Sequence, residues 1–309
     1  MNINDNRVYI IAEIGGNHEG DYEKARLLMK LAIESGADSV KFQAYTGSSL
    51  VNYKEDPDRV KHFDKFSLSD DEYVALAKEC KVLGADFNAS VWSDEHIELL
   101  DEYLSFYKVG SGDLTAYPLL KLVAGKKKPI VLSTGLATID EVTDSVEYIC
   151  SIDSVYRNRD MLAILQCTSM YPIPDSDANL SVINTFKKAF PYNVGYSDHT
   201  IGTQAVEVAI ALGARIIEIH FTDVREGKEF RDHKVSFIPE EIAVFRERSK
   251  IIIEQLGDGI KRSMPSEIES GHVESFRRGL YPARKIYAGE QVKENDFVAL
   301  RPKRGVAAN

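Results

Sequence analysis

Two imidazoles, two ammonium groups and a set of hydroxyls carry the chemistry this sequence offers. His199, in GYSDHT, and His220, in EIHFT, lie 21 positions apart. A lone histidine in a folded chain is more often a hydrogen-bonded structural group, but two at the ends of neighbouring strands come within reach of one metal ion. Two imidazoles with open oxygen positions suit Mn²⁺, Fe²⁺, Co²⁺ or Zn²⁺ better than Mg²⁺, which prefers oxygen shells. Lys41 and Lys108, with the hydroxyls of Ser90, Ser111, Ser133, Ser169 and Ser197, form the second set. Ammonium groups supply charge and hydroxyls supply direction, so together they make an oxyanion cradle. The expected ligand is phosphate or a phosphorylated carboxylate.

Such groups converge only if the fold aims them at one place. Eight short apolar, β-branched runs punctuate the chain: Val8–Ala12, Ser39–Phe42, Asp86–Asn88, Phe106–Val109, Pro129–Leu132, Leu162–Leu165, Val194–Tyr196 and Ile216–Glu218. Amphipathic runs of helical period separate them. Ser69-x-x-Glu72 and Thr138-x-x-Glu141 read as capping boxes, and Pro239 followed by two glutamates suits a first helical turn. Strands alternating with helices pair in parallel, and eight repeats favour a closed (β/α)8 barrel over an open sheet. In such a barrel the residues at the C-terminal strand ends face the site. Every run here is followed by polar groups: Glu13; Lys41 and Gln43; Ser90; Lys108, Ser111 and Asp113; Ser133; Gln166, Ser169 and Tyr171; Ser197 and His199; Glu218 and His220. One such residue would be an ordinary cap or turn group. Eight sets in step read as a site.

The rest of the chain bounds the reading. A barrel of typical size takes ~250 residues, so 309 residues leave too little for a second large domain. Residues 1–263 are assigned to the barrel, 264–276 to a linker, and 277–309 to a short β segment. The polar stretch Tyr45–Asp64 reads as an active-site loop. A net charge of −10 argues against a nucleic-acid partner, since no basic excess can displace counterions. No run approaches the ~18 apolar residues of a membrane span, and three widely spaced cysteines make no disulfide framework. A cytoplasmic location is the expectation. Trp92 could line the rim, with packing as the default, and His18, His62 and His96 read as loop or surface residues, His18 being close to the site in sequence.

Taken in order, AEIGGNHEG, GADSVKFQ, KVGSGD, LSTG, QCTSMYP, GYSDHT, HFTD and RDHKVSF resemble the N-acetylneuraminate (sialic acid) synthase family across nearly the whole barrel. The tail RRGLYPARKIYAGEQVKENDFVALRP resembles the start of that family's antifreeze-like domain. The resemblance implies condensation of phosphoenolpyruvate with an N-acylated hexosamine, giving a nonulosonic acid and phosphate. It implies phosphoenolpyruvate binding by Lys41, Ser90, Lys108, Ser111, Ser133, Ser169 and Ser197. It implies metal ligation by His199 and His220, with Mn²⁺ expected first and Mg²⁺ or Co²⁺ as alternatives. Glu13 and Asp113 fall at positions near the reacting centre; Tyr171, Asp232 and Arg301 fall at acceptor-sugar positions. A homodimer, in which Arg301 serves the partner's site, is also implied. KVGSGD and QCTSMYP stand nearer the neuraminic and legionaminic branches than the pseudaminic one. Ile219 stands where many members carry a basic residue, which implies one charge fewer beside the site. Two other readings stay open: a sugar-binding scaffold without catalysis, and a phosphoenolpyruvate-dependent aldol-type synthase for a phosphorylated sugar. The latter needs a second basic cluster, which the sequence does not display.

Overall fold

Period-two alternation builds the interior. A computed structural model describes residues 6–309. Its eight parallel strands are β1 (Tyr9–Glu13), β2 (Ser39–Ala44), β3 (Asp86–Val91), β4 (Tyr107–Val109), β5 (Ile130–Ser133), β6 (Leu162–Cys167), β7 (Asn193–Asp198) and β8 (Ile216–His220). They pair in the order β3-β2-β1-β8-β7-β6-β5-β4. The two ends of that ladder meet through side chains: Asn88 Nδ2 donates to the Phe106 carbonyl at 3.0 Å and Ser105 Oγ to Asp86 at 2.7 Å. The expected (β/α)8 barrel is the observed fold.

Alternate residues face inward. Tyr9, Ile11, Phe106, Val131, Ala163, Leu165 and Ile216 form an apolar plug inside the barrel. The residues between them, such as Ile10, Val40, Phe87, Tyr196 and Ile219, face outward into a larger core shared with the helices. Each fully buried isoleucine or leucine contributes roughly 1.5–3 kcal/mol by leaving water. Continuing the inward series toward the strand C-termini gives Glu13, Lys41, Ser90, Lys108, Ser133, Ser197, Glu218 and His220, all buried. The floor is apolar and the mouth is charged.

Several strands run further than their apolar content suggests. β3, β6 and β7 end at Val91, Cys167 and Asp198, because the polar residues of the mouth continue the backbone ladder. Ser90 is paired opposite Gln43, and Ser197 opposite both Cys167 and Glu218.

The barrel helices are α1 (Tyr22–Glu34), α2 (Gly47–Leu50), α3 (Pro57–Phe66), α4 (Asp70–Val82), α5 (Asp94–Leu100), α6 (Tyr117–Gly125), α7 (Ile139–Ile152), α8 (Val182–Ala189), α9 (Gln204–Ala211) and α10 (Pro239–Leu256). The capping box at α7 forms, with Thr138 N–H donating to Glu141 at 2.7 Å and Glu141 N–H to the Thr138 hydroxyl at 3.3 Å. The stretch Tyr45–Asp64 is not irregular as expected. It holds α2 and most of α3, whose start is fixed by Asp56 accepting from Arg59 N–H at 3.0 Å and by Pro57 in the first turn. At the opposite end of the barrel, Arg246 of α10 donates to the Val8 and Gly36 carbonyls and pairs with Asp38, tying the last helix to the first two strands.

The chain divides into two compact units after Leu256. The second, Gly257–Asn309, contains α11 (Pro265–Glu269), α12 (His272–Ser275) and an antiparallel pair, β9 (Gly279–Pro282) with β10 (Phe297–Leu300). The segment expected as a linker is thus partly helical. Cys80, Cys150 and Cys167 are free and buried. Among the described residues, no helix is long and apolar enough to cross a membrane.

Gly195 on β7 faces the plug, and a Cβ there would run into the Ile216 carbonyl and the Leu165 methyl. Gly195→Ala is expected to lower stability by about 1–3 kcal/mol through overpacking. Gly125→Ala, with open space around it at the end of α6, is expected to be neutral or stabilising. Urea midpoints of the two variants check this.

Candidate active site

The strand C-termini surround a cavity of about 1120 Å³. Thirteen of the residues proposed from sequence line it: Glu13, Lys41, Ser90, Lys108, Ser111, Asp113, Ser133, Ser169, Tyr171, Ser197, His199, His220 and Asp232. Arg301 belongs to the second unit, where its guanidinium lies 5.5 Å from the centre of the Phe276 ring.

At the bottom of the cavity four charges cluster, each largely buried. Lys41 Nζ lies 2.6 Å from Glu13 Oε2 and 3.4 Å from Glu218 Oε1. Lys108 Nζ lies 3.2 Å from Glu218 Oε2. Glu218 therefore gives one oxygen to each lysine. Burial opposes its ionisation, but Lys108 and Lys41 overcome that and hold its carboxyl down at about 2. Burial likewise disfavours the Lys41 ammonium, and Glu13 with Glu218 more than restores it, so its pKa is raised. Hydroxyls complete the set: Ser90 accepts from Lys41 at 3.2 Å and Ser133 from Lys108 at 2.7 Å. Gln43 Nε2 donates to Glu13 at 2.6 Å. The cradle expected from two lysines is present, but it is matched by two carboxylates. In the sequence Glu218 stands out only as one of the polar strand-end groups. The period of two was the signal: if His220 faces inward, so does the residue two before it.

The two histidines face each other across β7 and β8, ring centres 5.2 Å apart. Both are buried. His199 Nδ1 lies 2.9 Å from the Thr168 carbonyl. That contact fixes a proton on Nδ1 and leaves Nε2 with a lone pair. Burial, reinforced by His220, lowers the His199 pKa to about 3, so the ring is neutral. His220 Nδ1 is buried with no hydrogen-bond partner, and Asp232 Oδ2 stands 3.9 Å from it. After β8 the chain returns so that Phe237 N–H donates to the His220 carbonyl at 2.7 Å, which brings the Arg231–Val235 turn over the mouth. Tyr171 stacks on His199 at 4.0 Å, under the Arg231 guanidinium at 4.1 Å. Among the described residues, no group of three or more His, Cys, Asp or Glu is gathered to hold a metal ion. A neutral imidazole and an orphaned buried ring nitrogen nevertheless fit a two-imidazole site with open positions.

On the opposite wall the rim alternative for Trp92 is the one observed: its indole N–H donates to Asp113 Oδ2 at 2.8 Å, and it lines the cavity. Burial raises the Asp113 pKa, against the Trp92 hydrogen bond and Lys108. His18 and His96 are buried, not surface residues. His18 accepts from Gly20 N–H at 3.1 Å, and burial lowers its pKa to about 4. His62 does lie on the mouth. Ile219 faces the outer core, so its side chain leaves no gap of charge inside the site. Arg59, Lys65 and Arg231 also line the mouth, a basic group that the sequence did not display; Glu19 and Glu229 are interleaved with them.

A family model described as "NeuB family" matches residues 28–261. An uncharacterized protein of Methanocaldococcus jannaschii is 36% identical over 96% of this chain and 86% of its own length. The N,N'-diacetyllegionaminic acid synthase of Campylobacter jejuni is 33% identical over 98% of this chain and 92% of its own. The crystal structure of the N-acetylneuraminic acid synthetase of Leptospira borgpetersenii, in complex with citrate, superposes with a TM-score of 0.81. It is 30% identical and covers 88% of this chain and 93% of that one.

Glu218→Gln removes one of two counter-charges from the lysine pair. Inorganic phosphate is then expected to raise the melting temperature of the variant more than that of the unaltered protein at pH 7. Equal shifts in a thermal titration would contradict the shared-counterion assignment.

Proposed function

The chain belongs to the NeuB family, and on that premise we propose that it joins phosphoenolpyruvate to an N-acylated hexosamine, releasing phosphate and a nonulosonic acid. The observation that carries this reading is the convergence, in one cavity, of the Lys41–Glu218–Lys108 floor with the His199–His220 pair. The floor suits a small dianionic substrate. Lys41 and Lys108 take its phosphate and carboxylate, while Ser90, Ser111, Ser133, Ser169 and Ser197 orient the oxygens. A sugar-binding scaffold has no use for a buried double lysine beside two facing buried imidazoles.

His199 and His220 would hold a divalent cation, Mn²⁺ first and Mg²⁺ or Co²⁺ as alternatives. When bound, that ion supplies Lewis acidity toward a carbonyl oxygen. The rest of the chemistry falls to the chain. The enol carbon of phosphoenolpyruvate forms a bond to the open-chain aldehyde carbon, whose oxygen takes up a proton. Cationic character then develops at the pyruvyl C2, between Glu13 and the lysines. Water adds there and gives up a proton, and phosphate leaves with its bridging oxygen as the C2 carbonyl forms. Glu13, held by Lys41 and Gln43, and Asp113, held by Trp92, are the carboxylates in reach of these proton transfers. Tyr171 and Asp232 stand where the acceptor meets the imidazoles. In this reading Arg301 contributes to acceptor recognition within a homodimer.

The family relation and the cavity leave the acceptor to experiment. With phosphoenolpyruvate, Mn²⁺ and N-acetylmannosamine or a related N-acylated hexosamine, folded protein is expected to release phosphate in step with acceptor loss. No release with any such acceptor sinks the proposal. His220→Ala is expected to weaken Mn²⁺ binding at least about a hundredfold in calorimetry, with the far-ultraviolet dichroism of the barrel unchanged. Undiminished affinity rejects the ligand assignment.

A further inference from the structure

One polar side chain, buried beside the mouth, belongs to neither the anion floor nor the imidazole pair. Asn17, in the loop after β1, is fully buried. Its Nδ2 donates to the Phe221 carbonyl and to the Ser236 hydroxyl, both at 2.8 Å. Ser236 Oγ in turn donates to the Asp232 carbonyl at 2.7 Å. This chain of bonds has one direction. The Phe221 carbonyl can only accept, and Ser236 gives its one proton to Asp232, so the group facing both must be the amide nitrogen. Asn17 Oδ1 is left buried without a hydrogen-bond partner among the described residues. An unmet buried acceptor is costly. What Asn17 supplies is direction; burial alone favours an apolar side chain there.

The turn that it holds carries Asp232, whose Oδ2 stands 3.9 Å from His220 Nδ1. That ring nitrogen is itself buried and unpartnered. A gap of 3.9 Å is too long for a hydrogen bond, so the backbone of the turn decides how closely the carboxylate meets the imidazole. A second pin acts on the next residue. His233, fully buried, has Nδ1 2.8 Å from the Thr222 hydroxyl and Nε2 3.2 Å from Glu19 Oε1. Asn17 and Glu19 belong to the loop after β1; Phe221 and Thr222 follow β8 directly. Consecutive residues of the turn are thus gripped from the ends of two adjacent strands.

We propose that Asn17 is a positioning residue for the imidazole centre: acting through Ser236, it fixes the backbone of Asp232 and with it the place of that carboxylate beside His220. This rests on the function proposed above, in which His220 holds a cation. Asn17 itself touches no reacting atom. Groups that orient a ligating imidazole typically change metal affinity or activity about 10–100-fold, and a group acting through one further bond falls at the lower end.

Ser236→Ala cuts the chain between Asn17 and Asp232 and leaves Asn17 its bond to Phe221. Mn²⁺ alone, titrated calorimetrically into the full chain, is expected to bind this variant about tenfold more weakly than the unaltered protein. Asn17→Ala is expected to show the same loss, and the double variant no more than either, because both changes cut one chain. Ser249→Ala is the control. Ser249 is as buried as Ser236 and donates to the Arg246 carbonyl at the same 2.7 Å, but in α10 at the opposite end of the barrel. Its loss is expected to lower the melting temperature by a similar amount with Mn²⁺ affinity unchanged. In turnover, Ser236→Ala is expected to lower kcat and to leave the KM for phosphoenolpyruvate as it was, since the lysine floor is untouched. Undiminished Mn²⁺ affinity in Ser236→Ala, or losses that add in the double variant, overturns the positioning role and leaves the proposed reaction intact. An unaltered protein that binds Mn²⁺ yet releases no phosphate with any N-acylated hexosamine overturns the reaction, while the weakened binding of Ser236→Ala still upholds the positioning role.

Discussion

A carboxylate shared by two ammonium groups, buried at the bottom of the barrel mouth, is the constraint on which the site depends. Glu218 reaches Lys41 from one oxygen and Lys108 from the other. Taking any one of these charges out of water alone would be prohibitive; assembled with Glu13, which pairs with Lys41, two carboxylates and two ammonium groups neutralise one another. Removing a partner from such a buried set typically costs about 3–5 kcal/mol. The arrangement thus couples three strands: β2 and β4 bring the lysines, and β8 brings their common counter-ion. It also presets the lysines for an anion, because their separation is fixed before the anion arrives. The low dielectric that makes the set expensive to break also strengthens its field toward any anion that enters.

Around that floor the cavity is organised by strand. The imidazoles come from β8 and the residue just past β7: His199 is held by the Thr168 carbonyl, and His220 has Asp232 of the returning Arg231–Val235 turn 3.9 Å from its Nδ1. The segments after β2 and β3 contribute rings. The charged floor and the aromatic side of the cavity are therefore built from different parts of the chain. Change in one, such as a longer or shorter segment between β2 and α4, need not disturb the other.

The legible parts of the sequence were those governed by local periodicity. Eight apolar runs at helical separation gave the barrel, and polar residues after each run gave twelve of the thirteen site candidates that share one cavity; the other, Asp232, came from the family resemblance. What escaped had a tertiary cause. Strand ends were read short because Ser90, Cys167 and Ser197 are polar, although the ladder carries them. Glu218 was visible as a strand-end carboxylate, but its pairing with lysines from β2 and β4 arises only on closure. Trp92 looked like packing until Asp113, 21 positions later, supplied an acceptor for its indole. His18 looked exposed because loops usually are, yet it turns inward to cap its own turn at Gly20. Ile219 shows the reverse: adjacent to a site residue in sequence, it belongs to the opposite face of the strand.

The central claim is that this cavity breaks the C–O bond of phosphoenolpyruvate while making a carbon–carbon bond to a sugar. Phosphoenolpyruvate labelled with ¹⁸O at the bridging position tests it most directly, read by the isotope shift of the released phosphate in ³¹P magnetic resonance, with Mn²⁺ and an N-acylated hexosamine present. The account predicts that the phosphate carries the label and that its release requires the sugar. Unlabelled phosphate, or release that proceeds equally without the sugar, would mean P–O cleavage or simple hydrolysis and would contradict it.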